Sequence, residues 1–192
     1  MDNRLYDIDG IFVSHIHQDH YDPVFLKAYF KKFGVKPVYI GNFAHNYLEK
    51  KMSGDGIKYE ILDENKVYNN TTLSIIPFDQ GKNYDVDSAL VCSSNHECIV
   101  HLNDCIFNES FLSRVKEQSP GNVDIALIGY AGANSYPHTY YEDESSLSKK
   151  SSEKISFGIE RYLKIREKML KKIIISFLIT NFLIIGSILF SF

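Results

Sequence analysis

Three histidines and an aspartate lie within six residues near the start of this chain and constrain its fold more than any other feature. The segment 14–20 reads Ser-His-Ile-His-Gln-Asp-His and follows an apolar run at 11–13, which is typical of a buried strand. His15 and His17 are two residues apart, so in an extended backbone both imidazoles project to the same side. The spacing therefore predicts that these two side chains bind one metal ion.

A carboxylate and a further imidazole, Asp19 and His20, follow on the turn after this strand. Together they can hold a second cation. Imidazole with carboxylate suits zinc, iron or manganese better than calcium, and we expect one or two divalent ions, with zinc first among them. Since such ions activate bound water, the cluster predicts metal-dependent hydrolysis, with Asp19 as the candidate catalytic residue for proton transfer.

The sequence up to residue 128 alternates between helix and strand patterns. Asp22 followed by Pro23 is a helix-start signal. The apolar spacing at 24–33 is helical, and Gly34 ends it. A second helix is predicted at 43–52, and strands are predicted at 6–14, 35–40, 57–62, 72–77, 89–92, 98–102 and 123–128. This alternation indicates an α/β fold.

Written as His15-x-His17-x-Asp19-His20, the cluster resembles the signature motif of the metallo-β-lactamase superfamily. The resemblance covers about residues 5–141. It implies the αββα sandwich of that family, with these four side chains as metal ligands, and it makes residues 1–141 one domain.

Two further segments extend the resemblance. Asp104 follows the predicted strand 98–102 at the place where the family carries a metal-bridging aspartate, so the resemblance implies that Asp104 is the bridging ligand. Residues 130–137 read Tyr-Ala-Gly-Ala-Asn-Ser-Tyr-Pro. They look like the glycine-rich segment of the branch with CMP-N-acetylneuraminate hydroxylase-like and ascorbate-6-phosphate lactonase-like proteins, or they form an ordinary Gly/Pro turn. By resemblance the substrate is a small molecule: a sugar phosphate, a nucleotide sugar or a lactone.

The chain also departs from the family pattern. The family supplies a third histidine to the first ion before the bridging aspartate, and the histidines available there, none of which fits, are His45, His96 and His101. The best-matching position lies in residues 81–87, where the candidate replacements are Asn83, Asp85 and Asp87. A final histidine is expected near the C-terminus, whereas the last one here is His138. Because only about fourteen residues precede the motif, we also expect a sandwich that is incomplete at its N-terminus, in a truncated, split or frameshifted product.

The C-terminal part has a different composition. Residues 142–172 are rich in serine and charge and are predicted to be a linker or a solvated helix. Residues 173–192 contain no charged side chain. This segment has about the length that a membrane-spanning helix needs. A buried core helix is the alternative. The lysines and arginines at 164–172 predict that the preceding domain is cytoplasmic and tail-anchored.

Composition narrows the functional classes. The net charge is −3, so no polybasic surface indicates a nucleic-acid partner. Three cysteines without a CxxC pair indicate a reducing compartment rather than a disulfide framework. The leading hypothesis is a metal-dependent hydrolase. The alternatives are a catalytically inactive, membrane-associated remnant of such an enzyme and an oxygen- or redox-active di-iron protein.

Overall fold

The computed structural model describes residues 8–63, 65–68, 70–78, 87–94, 97–105 and 108–128, together with a strand at 187–190. Within these residues the chain forms three helices, which are α1 (Pro23–Phe33), α2 (Tyr47–Gly54) and α3 (Glu109–Glu117). The described strands are β1 (Gly10–Val13), β2 (Val38–Gly41), β3 (Glu60–Leu62), β4 (Lys66–Tyr68), β5 (Thr71–Phe78), β6 (Asp87–Ser93), β7 (Cys98–His101), β8 (Ile125–Leu127) and β9 (Ser187–Phe190).

The first sheet has the strand order β3-β2-β1-β9. β1 and β2 pair in parallel with Ile11 opposite Val38, β2 and β3 are also parallel, and β9 is antiparallel to β1. Every residue of β1 and β2 is buried, as is usual for parallel strands covered on both faces. Because β1, β2 and β3 run in the same direction, their carboxyl ends meet at one edge of the sheet.

The second sheet has the strand order β4-β5-β6-β7-β8. Its neighbours are antiparallel apart from β7 and β8, which are parallel. The register of β5 against β6 places Phe78 opposite Asp87 and Pro77 opposite Ser88. The first residues of β6 therefore lie at the same end of this sheet as the last residues of β5.

Side chains alternate between the two faces of each strand, and this alternation divides the core into layers. Between the sheets, Phe12 and Tyr39 of the first meet Leu90 of the second. On the outer face of the first sheet, β1 and β2 pack against α1 and α2. On the outer face of the second, α3 buries Phe111 and Val115. The order is helix, sheet, sheet, helix, in agreement with the predicted αββα sandwich.

The start of α1 shows why the sequence prediction holds there. The Asp22 side chain accepts hydrogen bonds from the backbone N–H groups of Val24 and Phe25 at 2.8 and 3.1 Å, which satisfies donors that a helix start leaves free. Pro23 occupies the first helical turn, and Gly34 follows the last residue with a φ of 86°. Both boundaries of α1 are therefore set by local chemistry.

Other boundaries differ from the prediction. The second helix begins at Tyr47 rather than at residue 43, and the pattern did not reveal β4 or α3. Of the predicted C-terminal helix at 173–192, only Ser187–Phe190 are described, and they form the strand β9 against β1. The other residues of 173–192, and the predicted linker at 142–172, lie outside the described residues. Among the helices that are described, none has the length and apolar character that a membrane crossing requires.

Candidate metal centre

The histidine cluster begins where β1 ends, at the carboxyl edge of the first sheet. Ser14 and His15 are buried there, and the Ser88 hydroxyl donates a hydrogen bond to the carbonyl oxygen of Ser14 at 2.9 Å. This bond ties the end of β1 to the start of β6 in the other sheet. The backbone then turns tightly, with the N–H groups of His20 and Tyr21 donating to the His17 carbonyl.

Asp104 reaches the same place from the second sheet. It follows β7 in a turn closed by a hydrogen bond from the Cys105 N–H to the Leu102 carbonyl. Asn103 adopts a φ of 47°, and its side-chain amide donates to the Ser88 carbonyl at 2.8 Å. Cys105, which follows Asp104, is buried.

One group of candidate ligands combines His15, His17 and Asp104. Nε2 of His15 lies 2.8 Å from Nδ1 of His17 and 4.0 Å from Oδ2 of Asp104. Both rings therefore offer a nitrogen to the same small volume, although His17 lies in a bend after β1 and not in the extended strand that the spacing predicted.

A second group combines Asp19, His20 and Asp104. Nε2 of His20 lies 3.2 Å from Oδ2 of Asp104 and 3.7 Å from Oδ2 of Asp19. The Asp19 side chain is 78% exposed, whereas the His20 side chain is only 12% exposed. Asp104 belongs to both groups, which is the geometry that a bridging carboxylate requires.

The donor atoms suit small divalent ions. Ligands held about 2.0–2.1 Å from a tetrahedral ion lie about 3.3 Å from one another, and the separations above, 2.8 to 4.0 Å, bracket that value. Oδ2 of Asp87 and Oδ1 of Asn103 are buried beside this centre and have no hydrogen-bond partner among the described residues. Buried acceptors without partners are costly, and cations nearby would offset that cost. The residues therefore fit one or two divalent ions.

His20 and Asp104 change each other's pKa. The hydrogen bond from His20 is the main reason why the pKa of Asp104 lies below its ordinary value. Burial on its own would lower the pKa of His20, but the hydrogen bond to Asp104 and the charges of Asp104, Asp19 and Asp87 raise it above 6.5. Both shifts favour the form in which the His20 imidazole is protonated and the Asp104 carboxylate is ionised.

His101 is a neighbour of the centre and belongs to neither group of candidate ligands. Its Nδ1 accepts a hydrogen bond from the Asn103 N–H at 3.1 Å. Burial, together with the positive charge of His20, lowers the pKa of His101 to about 4. The ring is therefore neutral near pH 7, with its proton on Nε2.

The structure adds two supporting side chains that sequence reasoning missed in this role. Oδ1 of Asp87 lies 3.2 Å from Nδ1 of His15. Oγ of Ser14 lies 3.0 Å from Nδ1 of His15 and 3.1 Å from Nδ1 of His20. Asp87 was a candidate replacement ligand, yet it lies on the Nδ1 side of the ring, away from the atoms that converge with Asp104. The only available signal for Ser14 was its position directly before the first histidine.

The other predicted residues do not join this centre in the described part of the chain. His45 lies just before α2, where its ring stacks on Tyr47 with centroids 5.6 Å apart. The remaining candidates lie outside the described residues; they are Asn83, Asp85, His96, His138 and the segment 130–137.

Two curated proteins are similar to the chain in sequence. Cytidine monophosphate-N-acetylneuraminic acid hydroxylase from Danio rerio is 25% identical over 158 residues, which cover 72% of this chain and 23% of that protein. A Mycolicibacterium smegmatis protein named as a Rieske 2Fe-2S iron-sulfur protein is 26% identical over 152 residues, which cover 72% of this chain and 27% of that protein. The chain thus spans about a quarter of each relative. No protein-family model matches it.

Solved structures identify the fold. A possible metal-dependent hydrolase from Veillonella parvula superposes with a TM-score of 0.56 at 18% identity, covering 91% of this chain and 63% of that one. The metallo-β-lactamase fold protein YhfI from Bacillus subtilis gives 0.50 at 14% identity, covering 88% and 74%. A variant of the CmlA β-hydroxylase gives 0.51 at 16% identity, covering 79% and 34%. The chain has the metallo-β-lactamase fold, as its motif implied.

Proposed function

We propose that this chain is the metal-dependent hydrolase domain of a metallo-β-lactamase-fold protein. The observation that carries the proposal is the convergence of imidazole and carboxylate groups from two sheets on one edge of the sandwich. These groups are His15, His17, Asp19, His20 and Asp104. They would hold one or two divalent ions, of which zinc is the first candidate because nitrogen and carboxylate ligands suit it.

A bound divalent ion supplies Lewis acidity and lowers the pKa of a coordinated water toward neutrality. The chain's own residues have separate tasks. Asp104 belongs to both groups, so it would keep the two halves of the centre together. Asp19 is the exposed carboxylate, so it is the group best placed to accept a proton from a substrate or water that arrives from solvent.

A cavity of about 580 Å³ is the candidate place for the rest of the substrate. Residues that follow β2 and β3, including Asn42, Phe43 and Asp63, line one side of it. The carboxyl ends of these strands share an edge with the end of β1. The other side of the cavity is lined by β5 and α3, including Arg114 and Glu117, and none of the candidate ligands lines it. A few polar side chains on an otherwise apolar wall are typical of small-molecule sites. The substrate class proposed by resemblance is a sugar phosphate, a nucleotide sugar or a lactone.

Metal content tests the proposal directly. The full chain is purified without added metal and analysed for elements, beside His17→Ala and the control His45→Ala. We expect one or two zinc ions in the wild type and in the control, and fewer in His17→Ala, because His45 lies outside both ligand groups. Absence of bound metal from all three proteins, even after incubation with zinc, would reject the proposal in favour of a catalytically inactive remnant.

Turnover is tested on the metal-loaded chain with panels of lactones and phosphate esters. We expect hydrolysis that a chelator stops and that Asp19→Asn reduces by about 10²–10⁴-fold, the usual contribution of general acid–base groups. Hydrolysis that is equal in wild type and Asp19→Asn would remove Asp19 from the catalytic role and leave the metal site intact.

The second candidate is an oxidative, iron-dependent activity at the same centre. Its support is that a curated relative and a structural neighbour are both named as hydroxylases, and that the same ligand types also bind iron. Two iron atoms per chain with a visible absorption band, in place of zinc, would favour it. Zinc alone, with metal-dependent hydrolysis, would exclude it.

A further inference from the structure

We propose that Asp87 is a positioning residue, which fixes the His15 imidazole so that Nε2 faces the metal centre. This inference rests on the proposed metal-binding function. Asp87 is the first residue of β6, and its Oδ1 lies 3.2 Å from Nδ1 of His15, whose side chain is 2% exposed. The carboxylate thus contacts the ring on the side opposite to the candidate ligand atoms.

The proton on His15 decides which of its nitrogens can bind an ion. A neutral imidazole carries one N–H, and only its other nitrogen has a lone pair for a metal. Nε2 of His15 is the atom that converges with Nδ1 of His17 and Oδ2 of Asp104. The ring can therefore act as a ligand there only when its proton is on Nδ1.

Two groups contact Nδ1 of His15, and only one of them determines where that proton lies. Oγ of Ser14, at 3.0 Å, is a hydroxyl that can either donate or accept. An ionised carboxylate can only accept, so Asp87 favours the ring form with the proton on Nδ1. A carboxylate behind a ligand histidine is a recurrent arrangement that fixes ring orientation and increases ligand basicity.

The surroundings of Asp87 indicate that it supports the metal centre through its contact with Nδ1 of the His15 ring. Its side chain is 13% exposed. Oδ1 also accepts a hydrogen bond from the Ser88 N–H at 2.7 Å, while Oδ2 is buried without a partner among the described residues. Ser88 is itself bonded to the Ser14 carbonyl, so β6 holds the carboxylate against the end of β1. A buried carboxylate of this kind is stabilised by a positive charge nearby, such as that of a cation held by Nε2 of the same ring.

The first test determines which ring nitrogen of His15 carries the proton in the metal-free wild type. Nitrogen–proton correlation spectra of the imidazoles are recorded with His15→Gln as the assignment variant. We expect the His15 signal to show the proton on Nδ1, and to lose that preference in Asp87→Asn. A His15 ring with its proton on Nε2 in the wild type would overturn the proposal. This readout does not depend on whether the chain binds metal.

The second test compares zinc affinity, measured by competition with a chelating dye. The matched control is Asp124→Asn, because Asp124 also accepts a backbone hydrogen bond, from Cys98 at 2.8 Å, without contacting a candidate ligand. We expect Asp87→Asn and Asp87→Ala to weaken zinc binding by about 10–100-fold, as loss of such supporting groups does. Unchanged affinity in both Asp87 variants would also overturn the proposal. If the wild type binds no zinc, the proposed function fails, and the ring-proton spectra still decide the role of Asp87.

Discussion

Nε2 of His20 lies 3.2 Å from Oδ2 of Asp104, and the two residues come from different sheets. The contact therefore joins the loop after β1 to the turn after β7. Without metal the contact favours an ion pair, since the pKa of His20 is raised and the pKa of Asp104 is lowered. The same two atoms are candidate metal ligands, so protons and divalent cations compete for one place.

The first prediction concerns pH in the metal-free chain. A raised pKa means that folded His20 binds its proton more tightly than unfolded His20 does, so this proton stabilises the fold. That stabilisation is complete below the ordinary value of 6.5 and is lost as the pH rises through the higher folded pKa. We expect the free energy of unfolding, measured in chelator, to fall as the pH rises above 6.5, and to fall more steeply in wild type than in His20→Gln.

The comparison with His20→Gln is needed because His101 changes the pH dependence of stability in the opposite direction. Its folded pKa of about 4 lies below the ordinary value, so His101 destabilises the fold as the pH falls below 6.5. With bound metal the His20 dependence also reverses, since acid then displaces the ion from Nε2. Identical slopes for wild type and His20→Gln in chelator would show that the ion pair does not form.

A second prediction follows from the position of Asp104 in both ligand groups. Asp104→Asn should abolish binding of both ions, whereas His17→Ala should remove only the ion held by the first group. Isothermal titration with zinc measures this as the number of ions bound per chain. If Asp104→Asn retains one tightly bound ion, the two groups do not share the carboxylate.

A third prediction concerns the contact between the two sheets at Gly41. A Cβ at this position would lie 3.0 Å from Cγ2 of Ile75 and 3.1 Å from Cγ of Pro77, which is closer than side chains normally pack. We expect Gly41→Val to reduce the free energy of unfolding by about 1–3 kcal/mol, a usual cost of overpacking. Urea unfolding measures the difference.

Gly54 provides the matched control for this substitution. It is the last residue of α2, and a Cβ there would meet nothing within 4 Å. Gly54→Ala should therefore leave stability unchanged or increase it by about 0.5–1 kcal/mol, because alanine favours the helix. Equal effects at the two glycines would mean that the close approach of the sheets at Gly41 carries no energetic cost.

Sequence patterns predicted those features of the structure that depend on residues close together in the chain. The spacing of His15 and His17 predicted that their nitrogens meet, although the chain bends at His17 instead of staying extended. Asp22 with Pro23 marked the start of α1. In contrast, β4 has only three residues, none of them buried, so its sequence carries little apolar signal. Its pairing is determined by β5, which the local sequence does not reveal.

The role of Asp87 shows the same limit at the candidate site. The sequence predicted Asp87 as a metal ligand, because it lies in the segment that best matches the position of the family's third histidine and an aspartate can bind metal. Its actual position depends on the register of β6 and on the hydrogen bond between Ser88 and Ser14, which are 74 residues apart. Such a contact exists only after the two sheets have packed, so the spacing of residues along the chain cannot show it.

A last prediction concerns Asn103, which shapes the turn that carries Asp104. Its φ of 47° is unfavourable for most residues, and its side-chain amide donates to the buried Ser88 carbonyl at 2.8 Å. Asn103→Gly relieves the backbone and loses the hydrogen bond, which should cost about 1 kcal/mol. Asn103→Ala also adds the cost of a left-handed conformation, about 1–2 kcal/mol more. Chemical unfolding should therefore rank wild type above Asn103→Gly and Asn103→Gly above Asn103→Ala. The opposite order of the two variants would show that the turn relaxes to a negative φ, in which case Asp104 should move and zinc affinity should fall with it.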